Sequence, residues 1–319
     1  MSHLGISEYH RVAPTLADPN SIGDCIFWAD FTDKNGSVMM QTLSGTNPVT
    51  TTGQYIAIMK NKAAGTGPNF DKLGAHVRVR KDDAGNVCMA AGIFGNLDSG
   101  ENNGNWGGCC GPSGAFSNLS FDGKAQTTII VEKIGTANIT GPNAMYQVRG
   151  MSVRTGTTDY RKSVINTQKV MGNSVSGSDS EVTATSSAFG NTNIRCIVTS
   201  TTTAGGAASP YYGQAMIYVN GALEDTENLN ELVSGDNNDG HYSFDMSRTQ
   251  APSSSPVSSF AGVCVGAEMN DNYLAASSFG INHYYGGIYE IIHFAKTLDA
   301  YELGLIESYI AEKYNITFS

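Results

Sequence analysis

Apolar and polar positions alternate in short runs along most of the chain, with turn-forming residues between the runs. Segments such as IFWADF (26–31), QYIAIM (54–59), HVRVR (76–80), VCMAAGIF (87–94) and TTIIVEKIG (127–135) carry the period-two pattern of half-buried strands. MYQVRGMSVRTG (145–156), KSVINTQKV (162–170), IRCIVTSTTT (194–203), QAMIYVNG (214–221), FAGVCVGAEM (260–269) and GIYEIIHF (287–294) continue it. In the last of these, Ile288, Glu290, Ile292 and Phe294 are expected on one face and Tyr289, Ile291 and His293 on the other. A helical period replaces the strand period only after Asp299. Asp299 and Glu302 have the spacing of a capping box, Leu303, Ile306 and Ile310 form one apolar stripe, and Lys313 suits the C-terminal end of the helix dipole. Asn220-Gly221 between two strand-like runs is a hairpin signal.

Many short strands and a single terminal helix predict an all-β sandwich. Residues 1–22 carry few apolar positions and no period, and read as an extended N-terminal arm that docks the protein to a partner. Residues 23–319 read as one domain. Three stretches rich in Gly, Asn or Ser, near 94–118, 171–187 and 233–256, are expected to be long loop insertions.

Three segments resemble laminin-G-like, concanavalin A-like jelly-roll domains. The C-terminus matches through Gly286, Ile288, Glu290, Leu298, Asp299, Glu302 and Tyr309; MIYVNGALEDT (216–226) resembles the family's strand–turn–strand; IFWADFTDKNG (26–36) resembles its first strand. The resemblance implies a jelly-roll β-sandwich with a short C-terminal helix. Domains of this kind are common in structural proteins of tailed phages. It therefore implies a non-enzymatic virion protein, a capsid decoration or head-fibre subunit that docks on the major capsid or another virion protein and forms a homo-oligomer on the particle. The alternatives are a glycan-binding adhesin or tail receptor-binding module that takes a cell-surface glycan, and, third, a polysaccharide-degrading enzyme.

Charge and motifs narrow these classes. A formal net charge of −10 with scattered Lys and Arg opposes nucleic-acid binding, and RVRK (78–81) is the one basic cluster. No export signal or membrane-spanning run stands out, so assembly in a reducing cytoplasm is expected. The six cysteines, Cys25, Cys88, Cys109, Cys110, Cys196 and Cys264, read as packing or loop thiols, because metal spacing is missing.

No catalytic residue is assigned. The E-x-D-x-x-E motif of retaining jelly-roll glucanases is absent, and Glu290 matches the family's structural glutamate. Glu224, Asp225 and Glu227 follow the Asn-Gly turn as solvated charges, and His293 reads as a structural side chain. No cofactor is expected. Calcium is the one ion the loops could hold, through Asp236, Asp239 and Asp271, which supply hard oxygen ligands. For glycan stacking the candidates are Trp106, Tyr211 and Tyr212; Trp28 reads as core.

Overall fold

The computed structural model describes residues 18–32, 39–40, 49, 51, 54, 56, 58–64, 70–73, 78–81, 87–90, 108–110, 126–134, 144–154, 157–166, 169–174, 179–183, 192–202, 212–228, 262–265 and 286–316. A short helix α1 (Pro19–Ile22) precedes β1 (Cys25–Asp30), β2 (Met39–Met40), β3 (Ile58–Met59), β4 (Phe70–Leu73), β5 (Arg78–Lys81) and β6 (Val87–Ala90). Then come β7 (Gly108–Cys110), β8 (Gln126–Ile134), β9 (Ala144–Arg154), β10 (Thr157–Asn166), β11 (Lys169–Ser174) and β12 (Asp179–Thr183). The chain continues with β13 (Thr192–Thr202), β14 (Tyr212–Val219), β15 (Ala222–Asn228), β16 (Gly262–Val265), β17 (Gly286–Phe294) and α2 (Ala300–Tyr314).

The strands form two antiparallel sheets. One has the order β15-β14-β13-β8-β17-β6-β5, with β1 also paired to β17; the other runs β12-β11-β10-β9-β16-β7-β4-β3-β2. The all-β fold with a terminal helix is thus the one the sequence patterning predicts. The first strand pairs with the last, with Trp28 opposite Ile292 and Asp30 opposite Glu290.

Both faces of the central strands of the first sheet, β8, β13, β17 and β1, are buried. Ile129, Val131, Ile194, Cys196, Ile292 and Phe294 belong to one core cluster with Leu298, Ile306 and Ile310, so α2 lies on that face. The alternate residues Ile130, Ile197, Ile217, Ile291 and Phe31 are buried as well, and strand alternation puts them on the other face. This double burial is why β1 and β17 read as near-continuous apolar runs.

Helix α2 starts where its capping signals place it. Asp299 Oδ1 accepts from the amides of Tyr301 and Glu302, both at 2.9 Å, and the Asp299 amide donates to Glu302 Oε2 at 3.2 Å. Thr127 of β8 anchors the approach: its hydroxyl donates to the Lys296 carbonyl and accepts from the Leu298 amide, both at 3.0 Å. Asn315, in the left-handed region at φ 52°, ends the helix. Asp299→Ala is expected to lower stability by about 1 kcal/mol through loss of the cap. Chemical denaturation measures it, and an unchanged midpoint would show that the cap contributes nothing.

The Asn220-Gly221 turn has φ 52° and 88°, the double-positive geometry of a type I′ hairpin, and it joins β14 to β15. Four features depart from the sequence reading. KSVINTQKV is not one strand: its two ends belong to β10 and β11, which pair as a hairpin. β7 lies inside the stretch 94–118, and β12 and the end of β11 lie inside 171–187, both read as loop; the stretch 233–256 lies outside the described residues. The period-two reading of β17 fails at Ile288, because a bulge separates Ile288, opposite Glu132, from Glu290, opposite Val131. Ile288 therefore sits on the face away from Glu290.

The fourth departure is at the N-terminus. Residues 1–17 of the expected arm lie outside the described residues, but its last five are folded onto the core. Pro19 is buried, Ile22 packs against the helix-side cluster, and Asn20 holds the Lys62 carbonyl at 3.1 Å and the Ala64 amide at 2.6 Å. The 60–64 segment in turn caps the outer edge of β1, since Asn61 bonds both the Trp28 amide, at 2.8 Å, and the Ile26 carbonyl, at 2.9 Å.

Candidate functional site

The densest group of chemistry-bearing side chains lies in the seam between β1, β17 and α2. Register puts Asp30 beside Glu290, and the Tyr309–Lys313–Tyr314 end of α2 closes over them. Glu290 is fully buried and takes four donors. Its Oε1 accepts from Trp28 Nε1 at 2.6 Å and Tyr309 Oη at 2.9 Å; its Oε2 accepts from Lys313 Nζ at 2.9 Å and Tyr314 Oη at 2.8 Å. Asp30 Oδ1 accepts from the Thr32 amide and hydroxyl, at 3.1 and 2.7 Å. Asp30 Oδ2 contacts Lys313 Nζ at 2.8 Å and Lys62 Nζ at 3.2 Å, and the Lys62 ammonium also lies 4.5 Å from the Trp28 ring centroid. Two carboxylates and two ammoniums balance in charge.

Burial pushes the Glu290 carboxyl above its ordinary range, against the opposing pull of Lys313 and Trp28. Burial acts the same way on Asp30, but Lys313, Thr32 and Lys62 overcome it and hold that carboxyl below the usual range. Burial, and then the negative charge of Glu290, push Tyr309 and Tyr314 well up, so both phenols stay protonated as donors.

Asp30 Oδ2 and Glu290 Oε2 flank one ammonium, so they are no farther apart than the sum of those two contacts. That bound leaves room for the roughly 5–5.5 Å of retaining glycosidases. Lys313 Nζ lies between the two oxygens and contacts both, so the gap between them is filled by this chain's own ammonium. Every oxygen of Glu290 is already engaged by this chain's own donors. The cluster holds the terminal helix to the sheet, in agreement with the structural reading of Glu290.

These opposed shifts set a pH signature. Asp30, lowered below 3.8, contributes stability above that value and loses it as pH falls through its folded pKa. Glu290, raised above 4.5, takes up a proton on folding, so its contribution improves as pH falls from its folded pKa to 4.5. The expected result is a thermal midpoint of wild type that gains on Glu290→Gln as pH is lowered from neutral toward 4.5, while both proteins lose stability below 3.8. A midpoint difference that stays constant across the upper window would refute the Glu290 assignment.

A second buried ionic pair lies on the opposite face of the same sheet. Arg195 Nε donates to Glu132 Oε1 at 3.0 Å, and both side chains are inaccessible to solvent. Among the described residues, the two Nη groups of Arg195 have no hydrogen-bond partner. Nearby on that face, His293 Nδ1 is 3.1 Å from the Thr128 hydroxyl, and burial drops the imidazole pKa to about 3. His293 is thus a neutral structural side chain, as the sequence suggests.

Of the residues singled out for ligands, Asp236, Asp239, Asp271, Trp106 and Tyr211 lie outside the described residues, and Tyr212 opens β14 opposite Thr202. Among the described residues no three His, Cys, Asp or Glu side chains gather as a metal site. Cys25 and Cys196 are buried free thiols and Cys88 is buried; burial pushes Cys25 up to about 12, which leaves it protonated and unreactive. No helix among the described residues is long and apolar enough to cross a membrane. The sequence missed Asp30 as the second carboxylate of the seam, although the Trp28-x-Asp30 spacing places both on one strand face.

No family model matches the chain, and no curated protein matches it at a significant level. Solved structures superpose on it partially. A structure described as botulinum neurotoxin type C, whose cell entry depends on two ganglioside molecules, has a TM-score of 0.43 at 11% identity, over 85% of this chain and 50% of that one. The CBM40 module of a Ruminococcus gnavus IT-sialidase, bound to α2,3-sialyllactose, has a TM-score of 0.31 at 14% identity, over 58% and 82%. A NanB sialidase variant from Streptococcus pneumoniae has a TM-score of 0.36 at 14% identity, over 57% of this chain and 24% of that one. This chain thus spans about a quarter of the sialidase, and no residue role of these proteins is transferred to it.

Proposed function

We propose that the chain is a non-enzymatic virion module, a jelly-roll sandwich displayed on the particle surface and attached to a capsid or other virion protein through its N-terminal segment. The observation that carries the non-enzymatic part is the saturation of Glu290. The carboxylate best placed for hydrolysis is locked by Trp28, Tyr309, Lys313 and Tyr314, and a general acid or nucleophile needs a free oxygen facing substrate. The virion part rests on the resemblance of the closing strand and capped helix to phage structural domains.

The test is attachment. Full-length protein is added to particles grown without it, alongside a chain lacking residues 1–17, which spares the folded turn at Pro19–Ile22. Binding of the full chain and loss of binding in the shortened one support the reading. Glycan binding without particle attachment, abolished by Trp106→Ala, would replace it with the receptor-binding alternative. Polysaccharide cleavage lost in an equally stable Glu290→Gln would replace it with an enzyme.

A further inference from the structure

We propose that the Lys313 amine condenses with the Asp30 carboxyl, with Glu290 carrying a proton between them, to form an isopeptide bond that ties α2 to β1. The reactants already touch: Lys313 Nζ lies 2.8 Å from Asp30 Oδ2. Cγ is one carbon–oxygen bond beyond that oxygen, so the nitrogen is within about 4 Å of the carbon it attacks. Reacting atoms at about 3–3.5 Å stand in a near-attack arrangement, so a shift below about 1 Å is enough.

The other parts of an acyl transfer surround this contact. Asp30 Oδ1 accepts from the Thr32 amide at 3.1 Å and the Thr32 hydroxyl at 2.7 Å. Those donors face the oxygen on which negative charge gathers when nitrogen adds to Cγ, which is the work of an oxyanion hole. Glu290 Oε2 is 2.9 Å from the same Nζ, within reach of a proton that the nitrogen must give up. Trp28, Tyr309 and Tyr314 hold that carboxylate in place, at 2.6, 2.9 and 2.8 Å. Lys62 Nζ, 3.2 Å from Oδ2, steadies the oxygen that departs.

The step balances without an outside reagent. One proton passes from Nζ to Oδ2 along their contact, which leaves a neutral amine beside a neutral acid. The nitrogen lone pair forms the bond to Cγ, and charge moves onto Oδ1. Glu290 Oε2 takes a second proton from the nitrogen and returns it to the Oδ2 hydroxyl. The Cγ–Oδ2 bond breaks, that oxygen leaves as water, and the third proton stays as the amide N–H. One carboxylate and one ammonium vanish together, so Glu290 and Lys62 are left to balance each other. Burial, which raises Glu290, makes it a stronger base for the proton it carries. Asp30 is held in its ionised form, so the neutral pair is a minor state and the reaction is slow and follows folding.

In water an amide hydrolyses downhill, but groups fixed in contact react as if present at about 10⁵–10⁸ M. The bond also removes two opposite charges from a place where holding them costs desolvation. It joins the first strand of the sheet to the terminal helix, so a pull between the two ends of the domain falls on a covalent bond and not on the β1–β17 ladder. The acid loss expected above through Asp30 belongs to the unreacted chain, and is read on freshly folded protein that still has its full mass.

The experiment is intact-mass spectrometry of the full chain, folded and incubated at neutral pH. Wild type is expected to become one water lighter than its sequence, and proteolytic mapping to yield one branched peptide that carries Asp30 and Lys313. The same chain held unfolded in urea keeps its full mass. Lys313→Arg keeps a cation in the seam but has no amine to acylate, so it also keeps its full mass. Glu290→Gln, without the proton carrier, reacts at least about a hundredfold more slowly. Circular dichroism confirms that each variant is folded; if one is not, the wild-type mass and the branched peptide decide alone. A folded wild type that keeps its full mass, a water loss that maps elsewhere or persists in Lys313→Arg, or a Glu290→Gln that reacts as fast as wild type each overturn the proposal. It is independent of the virion reading, because the mass is measured on isolated protein.

Discussion

Glu132→Leu is expected to destabilise the protein by about 3–5 kcal/mol, the largest effect of any single substitution proposed. It removes the carboxylate that pairs Arg195 Nε and leaves a buried guanidinium without its counter-charge. The cost comes from the charge left behind, not from the strength of the pair itself. The double variant Glu132→Leu/Arg195→Met removes both charges at similar volume, so it should recover most of that loss and could match wild type. Equilibrium urea unfolding of the two variants tests this. If the double variant is as unstable as Glu132→Leu alone, the loss comes from packing, and the account of a stranded charge fails.

Ile306→Ala comes next, at about 2–5 kcal/mol, because it opens a cavity between α2 and the sheet. Ile306 and Ile310 have no exposed surface and face Ile129, Val131 and Ile292 across the seam. Leu303, only half-buried in the same stripe, should lose less when cut to alanine. A loss for Ile306→Ala no greater than that for Asp299→Ala, in the same urea titration, would mean that the helix is held by its cap and the Glu290 cluster and not by its apolar stripe.

Local signals of the sequence were legible because they depend on residues near each other in the chain. The capping box at Asp299, the apolar stripe of α2 and the Asn220-Gly221 hairpin are all written within a few positions. What could not be read depended on distant neighbours. The bulge at Tyr289 follows from how β8 and β1 meet β17, and it moved Ile288 to the other face. Asp30 became the partner of Glu290 only through the pairing of the first strand with the last, and Lys313, read as a dipole partner, turned out to bridge both carboxylates. β7 and β12 formed in stretches with poor strand composition because adjoining strands supply the ladder bonds, and such context outweighs intrinsic preference. The candidate ligands in the long polar stretches had no such local grammar at all.

The place of β17 constrains when the protein can become itself. This strand lies inside its sheet, between β8 on one side and β1 and β6 on the other. Until residue 294 leaves the ribosome, β1 and β8 have no strand to join them, and the apolar rows of both stand uncovered. At about 5–20 residues per second, that interval lasts tens of seconds. Folding of this sheet is thus held back until β17 has been made, and the nascent chain must remain unassembled with its stickiest strands already made. The length of that wait is written into the strand order.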